Sequence, residues 1–366
     1  MRILQLTSHL EIGGIPRHVV TLAGALARRG HVVAVASGGG ALAAELAGAG
    51  VARRQVSLKT KSELHPKLWA AILVLSGIVR RDGIQVLHAH TRVAQVVAAV
   101  VSSATGVPYV ATCHGFYRQR LGRRLLPCWG RRTIAISDAV RRWLLAIGVP
   151  AERIVTVLNG IDVDPSRWQV AEDELSRFRA AAGLRDGPVV GIVGRVVDVK
   201  GHRWLLESFK RLADRVPDAQ LLVVGEGPDR LALERAASAK GLQDRVRFAG
   251  STPDIRVPLA AIDVVAVPSL WEEPFGLVVV EAMAAGRAVV ASKAGGIPEI
   301  VRHGETGLLV ERGDVVGLAE ALARLLQDQA LRSRMAAAGR RIAAERFSSE
   351  RMATEMEEAY RAAVAR

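Results

Sequence analysis

Four charged side chains, each placed at the edge of an apolar run, carry the chemistry available to this sequence. In "EEPFGLVVVEAMAAGRAVVAS", residues 272–292, Glu273 and Glu281 bracket a passage holding Phe275, Gly276, Leu277 and three valines. A carboxylate among apolar neighbours is costly unless it is hydrogen-bonded. A ribose diol offers two hydroxyl donors to its two oxygens, and Glu281 is the candidate for that contact. A helix beginning near Phe275 to Leu277 presents free backbone N–H groups, an anion site with no Cβ in the way at Gly276. Glu273, at the tip of the preceding loop, can reach a sugar at the other end of a diphosphate. In "VVGIVGRVVDVKG", residues 189–201, a buried strand ends at Gly194, where the lack of a Cβ lets the chain turn sharply beside a ligand. Arg195 and Lys200 follow, two fixed cations beside a helix start, which suits a diphosphate. The plainer reading makes these cations ordinary surface charges and the two glutamates salt-bridge partners of a neighbouring domain. "LLVVGEGPDR" closes another strand with Gly225, Glu226 and Gly227. By itself it is a tight turn, and it gains weight by repeating the strand-end pattern of Gly194.

These loops need strands to hold them. The first half of the chain opens with "RILQLTS", a Gly-Gly loop and a helix from about Arg17 to Arg29, then runs through "HVVAVAS", "IQVLHAH", "PYVATCHG" and "TIAISD". The second half repeats the rhythm with "PVVGIVGR", "AQLLVVGEG", "VRFAG", "DVVAVPS" and "AVVAS". Short β-rich runs alternating with helices indicate βαβ units and parallel sheets, hence an α/β chain of two doubly wound domains with ligand loops at the strands' carboxyl ends. A boundary is expected in "NGIDVDPSRW", so that residues 1–165 form one domain and 166–346 the other. Residues 347–366 read as an amphipathic helix with Met352, Met356 and Tyr360 on one side, packing back on the first domain.

With 366 residues, one core is too few. Two cysteines, Cys113 and Cys128, argue for a reducing compartment and against a disulfide framework. "MRILQLTSHL" reads as a strand rather than a signal peptide. The uncharged run from Val93 to Tyr117 is broken by Gly106 and Pro108 and reads as helix, turn and strand, not as a membrane span. The net charge of +14 is unevenly spread: residues 1–165 hold 21 Lys/Arg against 8 Asp/Glu, and residues 166–366 hold 29 against 28. The densest stretch, "FYRQRLGRRLLPCWGRR", carries Arg118, Arg120, Arg123, Arg124, Arg131 and Arg132 with no acid. Such a patch attracts nucleic acid, anionic lipid or phosphorylated substrates.

Taken in order, "GGIPRHV", "CHG", "ISD", "NGID", "GRVVDVKG", "VGEGP", "FAG", "EPFGLVVVE", "GGIPEIV" and "GETGLLV" resemble the motifs of the family 4 retaining glycosyltransferases, with the E-x7-E pattern at Glu273 and Glu281. That resemblance implies the GT-B fold, two Rossmann-like domains facing a cleft, with an N-terminal acceptor domain and a C-terminal nucleotide-sugar domain. It implies that Arg195 and Lys200 bind the donor diphosphate, that Glu281 holds the ribose, and that Glu273 with the backbone of Phe275, Gly276 and Leu277 contacts the donor sugar and phosphates. By the same resemblance, Gly14 in the first loop lets its domain close on the diphosphate. His114 lies near the donor sugar and the reaction centre, and Arg17 and His18 lie beside the acceptor.

The expected activity is hexosyl transfer with retention and without a metal, from a UDP- or GDP-linked sugar. The acceptor is expected to be a lipid-linked glycan or lipopolysaccharide precursor, with the six arginines at an anionic membrane on its cytoplasmic side and Leu125, Leu126 and Trp129 among them as apolar groups to insert. No cofactor is expected beyond the nucleotide sugar. The D-x-D pattern at Asp162 and Asp164 reads as a turn beside Pro165 rather than a metal site. His88 and His90 read as a strand end without a third ligand, and Cys113 as a buried small residue. Three rivals share features with this reading: transfer to a soluble anionic small-molecule acceptor drawn in by the same basic field, a sugar-nucleotide epimerase, which needs no acceptor, and a nucleic-acid binder. Against the binder stand the few aromatics in the basic segment and the complete donor site.

Overall fold

Valine-rich runs, buried on both faces, stack side by side into two parallel sheets in the computed structural model. Residues 1–60, 65–118 and 121–365 are described. The chain divides into two units, Met1–Asp162 with Phe347–Arg366, and Val163–Arg346.

In the first unit the strands are β1 (Arg2–Leu6), β2 (Val32–Ser37), β3 (Ala52–Gln55), β4 (Val86–Ala89), β5 (Tyr109–Cys113), β6 (Arg132–Ala135) and β7 (Ile154–Thr156). They lie in the order β3-β2-β1-β4-β5-β6-β7, all parallel. In the second unit β8 (Val189–Val193), β9 (Gln220–Val224), β10 (Val246–Gly250), β11 (Val264–Val267), β12 (Ala288–Ser292) and β13 (Leu308–Val310) lie in the order β10-β9-β8-β11-β12-β13. Both are Rossmann-like doubly wound orders. Each sheet reverses direction beside its first strand, at β1/β4 and at β8/β11, and that switch point is where such sheets bind ligands.

The apolar runs quoted from the sequence become β1, β2, β4, β5 and β6, then β8 to β12. Three strands were not anticipated. β3 reads Ala-Arg-Arg-Gln and sits at a sheet edge, where charge is tolerated and no apolar run is needed. β7 and β13 have three residues each, too short for a periodic signal, and also lie at edges.

The first helix spans Gly14–Arg28, beginning three residues before the expected start. Gly14 therefore belongs to the helix rather than to the loop. Pro16 is no obstacle there, because first-turn N–H groups have no partner within the helix. Val19, Leu22 and Leu26 face the sheet and share a core with Met352, Met356 and Tyr360 of the Ser349–Val364 helix. That last helix is capped by Ser348, which accepts from Arg351 N, and is tied down by Glu357. Glu357 accepts from Arg29 Nε at 2.5 Å and meets His31 Nε2 at 2.9 Å. Those bonds, Arg29's above all, hold its carboxyl down at about 2. Among the described residues no helix is long and apolar enough to cross a membrane.

Candidate active site

In the second unit, two loops meet at the switch point. One leaves β8 through Gly194, at φ +149°, and carries Arg195, which is exposed, and Lys200. The other leaves β11 through Pro268 and Ser269 and carries Glu272 and Glu273. They touch at Gly201, where a Cβ would sit 2.0 Å from the Pro268 carbonyl oxygen, and Leu270 N donates to Val199 O at 3.0 Å. The contact brings Lys200 Nζ to 2.5 Å from Glu273 Oε1, and Ser269 Oγ donates to the same oxygen at 2.5 Å. Glu273 is 8% exposed, so its charge is balanced by Lys200 rather than by water.

A second glycine pair braces this loop. Gly296 N donates to Glu273 O at 2.7 Å, Gly295 N donates to Glu272 Oε2 at 2.6 Å, and Arg312 pairs with Glu272 at 2.7 Å. A Cβ on Gly295 would fall 2.1 Å from the Glu273 carbonyl oxygen. The bracing role of "GGIPEIV" was not deduced from its residues; the repeated Gly-Gly before a short helix was the available signal. Gly276, at φ +106°, then opens the Leu277–Ala284 helix, with Phe275 buried behind it. Glu281 is half-buried and stands one turn after Leu277 on the same face. Arg195, Lys200, Glu273, Gly276 and Glu281 thus occupy one end of one sheet.

Gly225 and Glu226 have local duties. A Cβ on Gly225 would lie 1.9 Å from the Gly194 carbonyl oxygen, and one on Gly227 2.0 Å from that of Val196. Close approach of two strand-end loops accounts for both glycines. The Glu226 carboxylate pairs with Arg230 on the helix that follows.

At the carboxyl ends of β1, β4 and β5, the first unit gathers histidines. His18, on the first helix, is 3% exposed and packs edge-on against His90 and His114, with ring centroids 5.4 and 4.8 Å away. His90 Nδ1 lies 3.2 Å from His114 Nε2. His88 points elsewhere: its Nδ1 meets Tyr360 Oη and its Nε2 meets Thr112 Oγ1, each at 2.7 Å. Burial drives His18 down to about 4, against an opposing pull from Asn159, and holds His90 and His114 well below the usual histidine range. The expectation that His90 lacks companions of ligating type is corrected here: the fold, not the spacing, brings in His18 and His114. His18 is an interior residue, whereas Arg17 lies at the surface and pairs with Glu45 at 2.6 Å.

The basic segment is partly engaged. Arg131 Nη1 donates to Ala363 O and Arg132 Nη1 to Glu152 O, so both brace the unit. Arg123 stacks over Tyr117 at 4.7 Å, and Arg118 and Arg124 are exposed. Arg120 lies outside the described residues. Leu125 and Leu126 are open to solvent at 70% and 54%, but Trp129, expected among the groups free to insert in a membrane, is buried with only 8% exposed. Cys113 is fully buried and its thiol is pushed up to about 12 by that burial, so it is no nucleophile. Asp164 accepts from Ser166 N and caps a short 3-10 turn at Pro165–Trp168.

The comparisons with known proteins agree with this architecture. Residues 176–342 match the glycosyl transferases group 1, and residues 12–165 match glycosyltransferase family 4. A phosphatidyl-myo-inositol mannosyltransferase of Mycobacterium leprae is 33% identical over 89% of this chain and 87% of its own. A 2-deoxystreptamine glucosyltransferase of Streptomyces kanamyceticus is 37% identical over 63% of this chain and 64% of its own. The crystal structure of Anabaena Alr3699/HepE in complex with UDP-glucose superposes with a TM-score of 0.86, at 26% identity and 98% coverage of both chains. The chain belongs to the family 4 glycosyltransferases and has the GT-B fold.

Proposed function

We propose that this glycosyltransferase moves a hexose from a UDP- or GDP-linked sugar, with retention and without a metal, to a lipid-linked glycan at the cytoplasmic membrane face. The observation that carries the donor half is the cluster of Arg195, Lys200, Glu273 and Glu281 at one switch point. In this reading Arg195 and Lys200 face the diphosphate, and Glu281 takes the ribose diol. The anomeric C–O bond to phosphate breaks as the acceptor oxygen bonds to the same carbon. The acceptor's proton passes to the leaving phosphate, whose growing charge the two cations stabilise in place of a divalent ion. Lys200 exchanges part of its contact with Glu273 for phosphate, which leaves the Glu273 carboxylate open to the donor sugar's hydroxyls. His114, kept neutral by burial, serves as a hydrogen-bond partner to the donor sugar rather than as a charge.

The lipid acceptor rests on the basic first unit, on exposed Leu125 and Leu126 among arginines, and on the similarity to a protein named for phosphatidyl-myo-inositol. The deciding experiment is a thermal-shift screen of nucleotide sugars in the presence of EDTA, since a ligand at a hundred times its Kd adds about 2.7 kcal/mol. A UDP- or GDP-sugar should stabilise the protein and be turned over under chelation. Loss of turnover in EDTA, restored by Mg²⁺ or Mn²⁺, would overturn the metal-free reading.

A further inference from the structure

Two buried imidazoles and a half-buried one meet in one corner of the first unit, and one of them lacks hydrogen-bond partners altogether. Neither ring nitrogen of His18 completes a hydrogen bond, although the residue is 3% exposed. Asn159, which acts on His18, likewise has a buried Oδ1 without a partner. His90 Nε2 faces Gln5 Oε1 at 3.1 Å. A carbonyl oxygen only accepts, so that nitrogen carries the proton and His90 Nδ1 is left with its lone pair, pointing at His114. Unpartnered buried polar atoms are rare and require a cause.

We infer that His18, His90 and His114 form a binding site for one divalent transition ion of the Zn²⁺ class, a site that shares only His114 with the donor contacts proposed above. The three rings can offer atoms that all lie within 4.8 Å of one another. In a tetrahedral site with Zn–N near 2.0–2.1 Å, ligand nitrogens stand roughly 3.4 Å apart and ring centres roughly 5 Å apart. Here His90 Nδ1 and His114 Nε2 are 3.2 Å apart, and the centroid triangle measures 4.8, 5.4 and 5.5 Å. Closing the site therefore needs small turns of the rings rather than movement of the strands. Metal-ligating histidines bind as neutral imidazoles and donate their other N–H to an oxygen acceptor, as His90 does to Gln5. Imidazole ligation favours Zn²⁺, Cu²⁺ or Ni²⁺ over the oxygen-seeking Mg²⁺, which separates this site from any role as a diphosphate counter-ion. With three protein ligands the fourth position stays open to water or a small ligand. His88 stays outside the set because Tyr360 and Thr112 occupy both its nitrogens.

The test uses the full chain, freed of metal by chelation and dialysis. Co²⁺ is added as the spectroscopic probe and Zn²⁺ is measured by chelator competition, with thermal unfolding reporting that each variant is folded. The expected result is one ion per chain, visible Co²⁺ bands of tetrahedral intensity, and X-ray absorption showing three imidazole nitrogens around Zn²⁺. His18→Ala should weaken Zn²⁺ at least about 100-fold, and Gln5→Leu, which removes only the acceptor behind His90, roughly ten- to a hundredfold. His303→Ala, on the other unit, should change nothing. Sub-stoichiometric binding, octahedral Co²⁺, or undiminished affinity in folded His18→Ala and Gln5→Leu chains would overturn the site. Zn²⁺ inhibition of transfer, relieved by EDTA, is expected only if His114 meets the donor sugar. Binding without inhibition would overturn that placement of His114 and leave the metal site standing.

Discussion

The two Rossmann-like units share a strand order but differ in what stands at the carboxyl ends of their central strands. In the second unit the residues there are charged and mutually balanced. Lys200 neutralises Glu273, and the unit as a whole has 26 Lys/Arg against 25 Asp/Glu. The first unit carries 24 against 11, yet the interior of its corresponding corner is uncharged, built from imidazoles that burial keeps neutral. The first unit's corner buries imidazoles, whereas the second's buries the Glu273 carboxylate in a cage of hydrogen bonds. The same topology thus supports a preorganised ionic site in one copy and a neutral polar corner in the other. Only the former can stabilise charge that develops during a reaction without first reorganising.

The largest effect should come from removing a strand-end cation of the second unit. Lys200→Ala or Arg195→Ala is expected to lower kcat about 10²-fold or more, and Glu281→Ala to raise the donor KM about tenfold. Removing Arg124 from the first unit should leave kcat with a water-soluble acceptor unchanged. Steady-state kinetics on the four variants checks this, and a comparable kcat loss in Arg124→Ala would erase the distinction between the units. Next in size is membrane attachment. Replacing Arg118, Arg123 and Arg124 by Ser should weaken association with anionic vesicles at low salt about a hundredfold, read by co-sedimentation, at about 1 kcal/mol per basic residue near the surface. Arg131 and Arg132 are left in place in that variant because each holds a backbone carbonyl. Undiminished sedimentation would remove the membrane from the account of the first unit.

The smallest effect separates the units by acid. His18, His88, His90 and His114 have folded-state pKa values below the unfolded value near 6.5, and all lie in the first unit. Below that pH the unfolded chain takes up protons that the folded chain refuses. Stability is therefore complete above about 6.5 and lost as the pH falls toward 4, by up to about 1.4 kcal/mol per pH unit for each histidine. In the second unit His202 alone, lowered to about 4 mainly by burial, imposes a similar loss. Hydrogen exchange followed by peptide between pH 7.5 and 4.5 should show the first unit losing protection sooner. Parallel loss in both units would refute the assignment of acid sensitivity to the histidine corner.

Much of this was legible because both sheets are built from short valine-rich runs with period and boundaries visible in a single strand. "DVVAVPS" and "PVVGIVGR" needed nothing beyond themselves to be read as buried parallel strands. Edge strands were not legible: β3 carries Arg53 and Arg54, whose side chains an open edge accommodates without an apolar signature. The candidate cations and acids could be chosen because Arg195 follows Gly194 at a strand end and Glu273 and Glu281 bracket an apolar passage. What escaped were the side-chain and loop partners set by tertiary contact. His18 and His114 stand far from His90 in sequence, and nothing in the spacing of His88 and His90 says that the second has companions while the first is occupied by Tyr360. Trp129 looked like a membrane anchor because its neighbours are arginines, but side-chain burial depends on the fold around it. Likewise, the packing of Gly225 beneath Gly194 is a backbone contact between two separate loops, which no local pattern encodes.

The Ser349–Val364 helix has a consequence for how the protein is made. Met352, Met356 and Tyr360 belong to the core of a unit whose other elements are translated before residue 163. On a ribosome adding 5–20 residues per second, the first unit waits roughly ten to forty seconds for its last helix while residues 163–346 emerge. Throughout that interval the apolar faces around Val19, Leu22 and Leu26 lack their cover. The second unit, continuous in the chain, can finish first. The nascent protein therefore matures from its middle outward, with the N-terminal unit as the segment that chaperones would meet half-built.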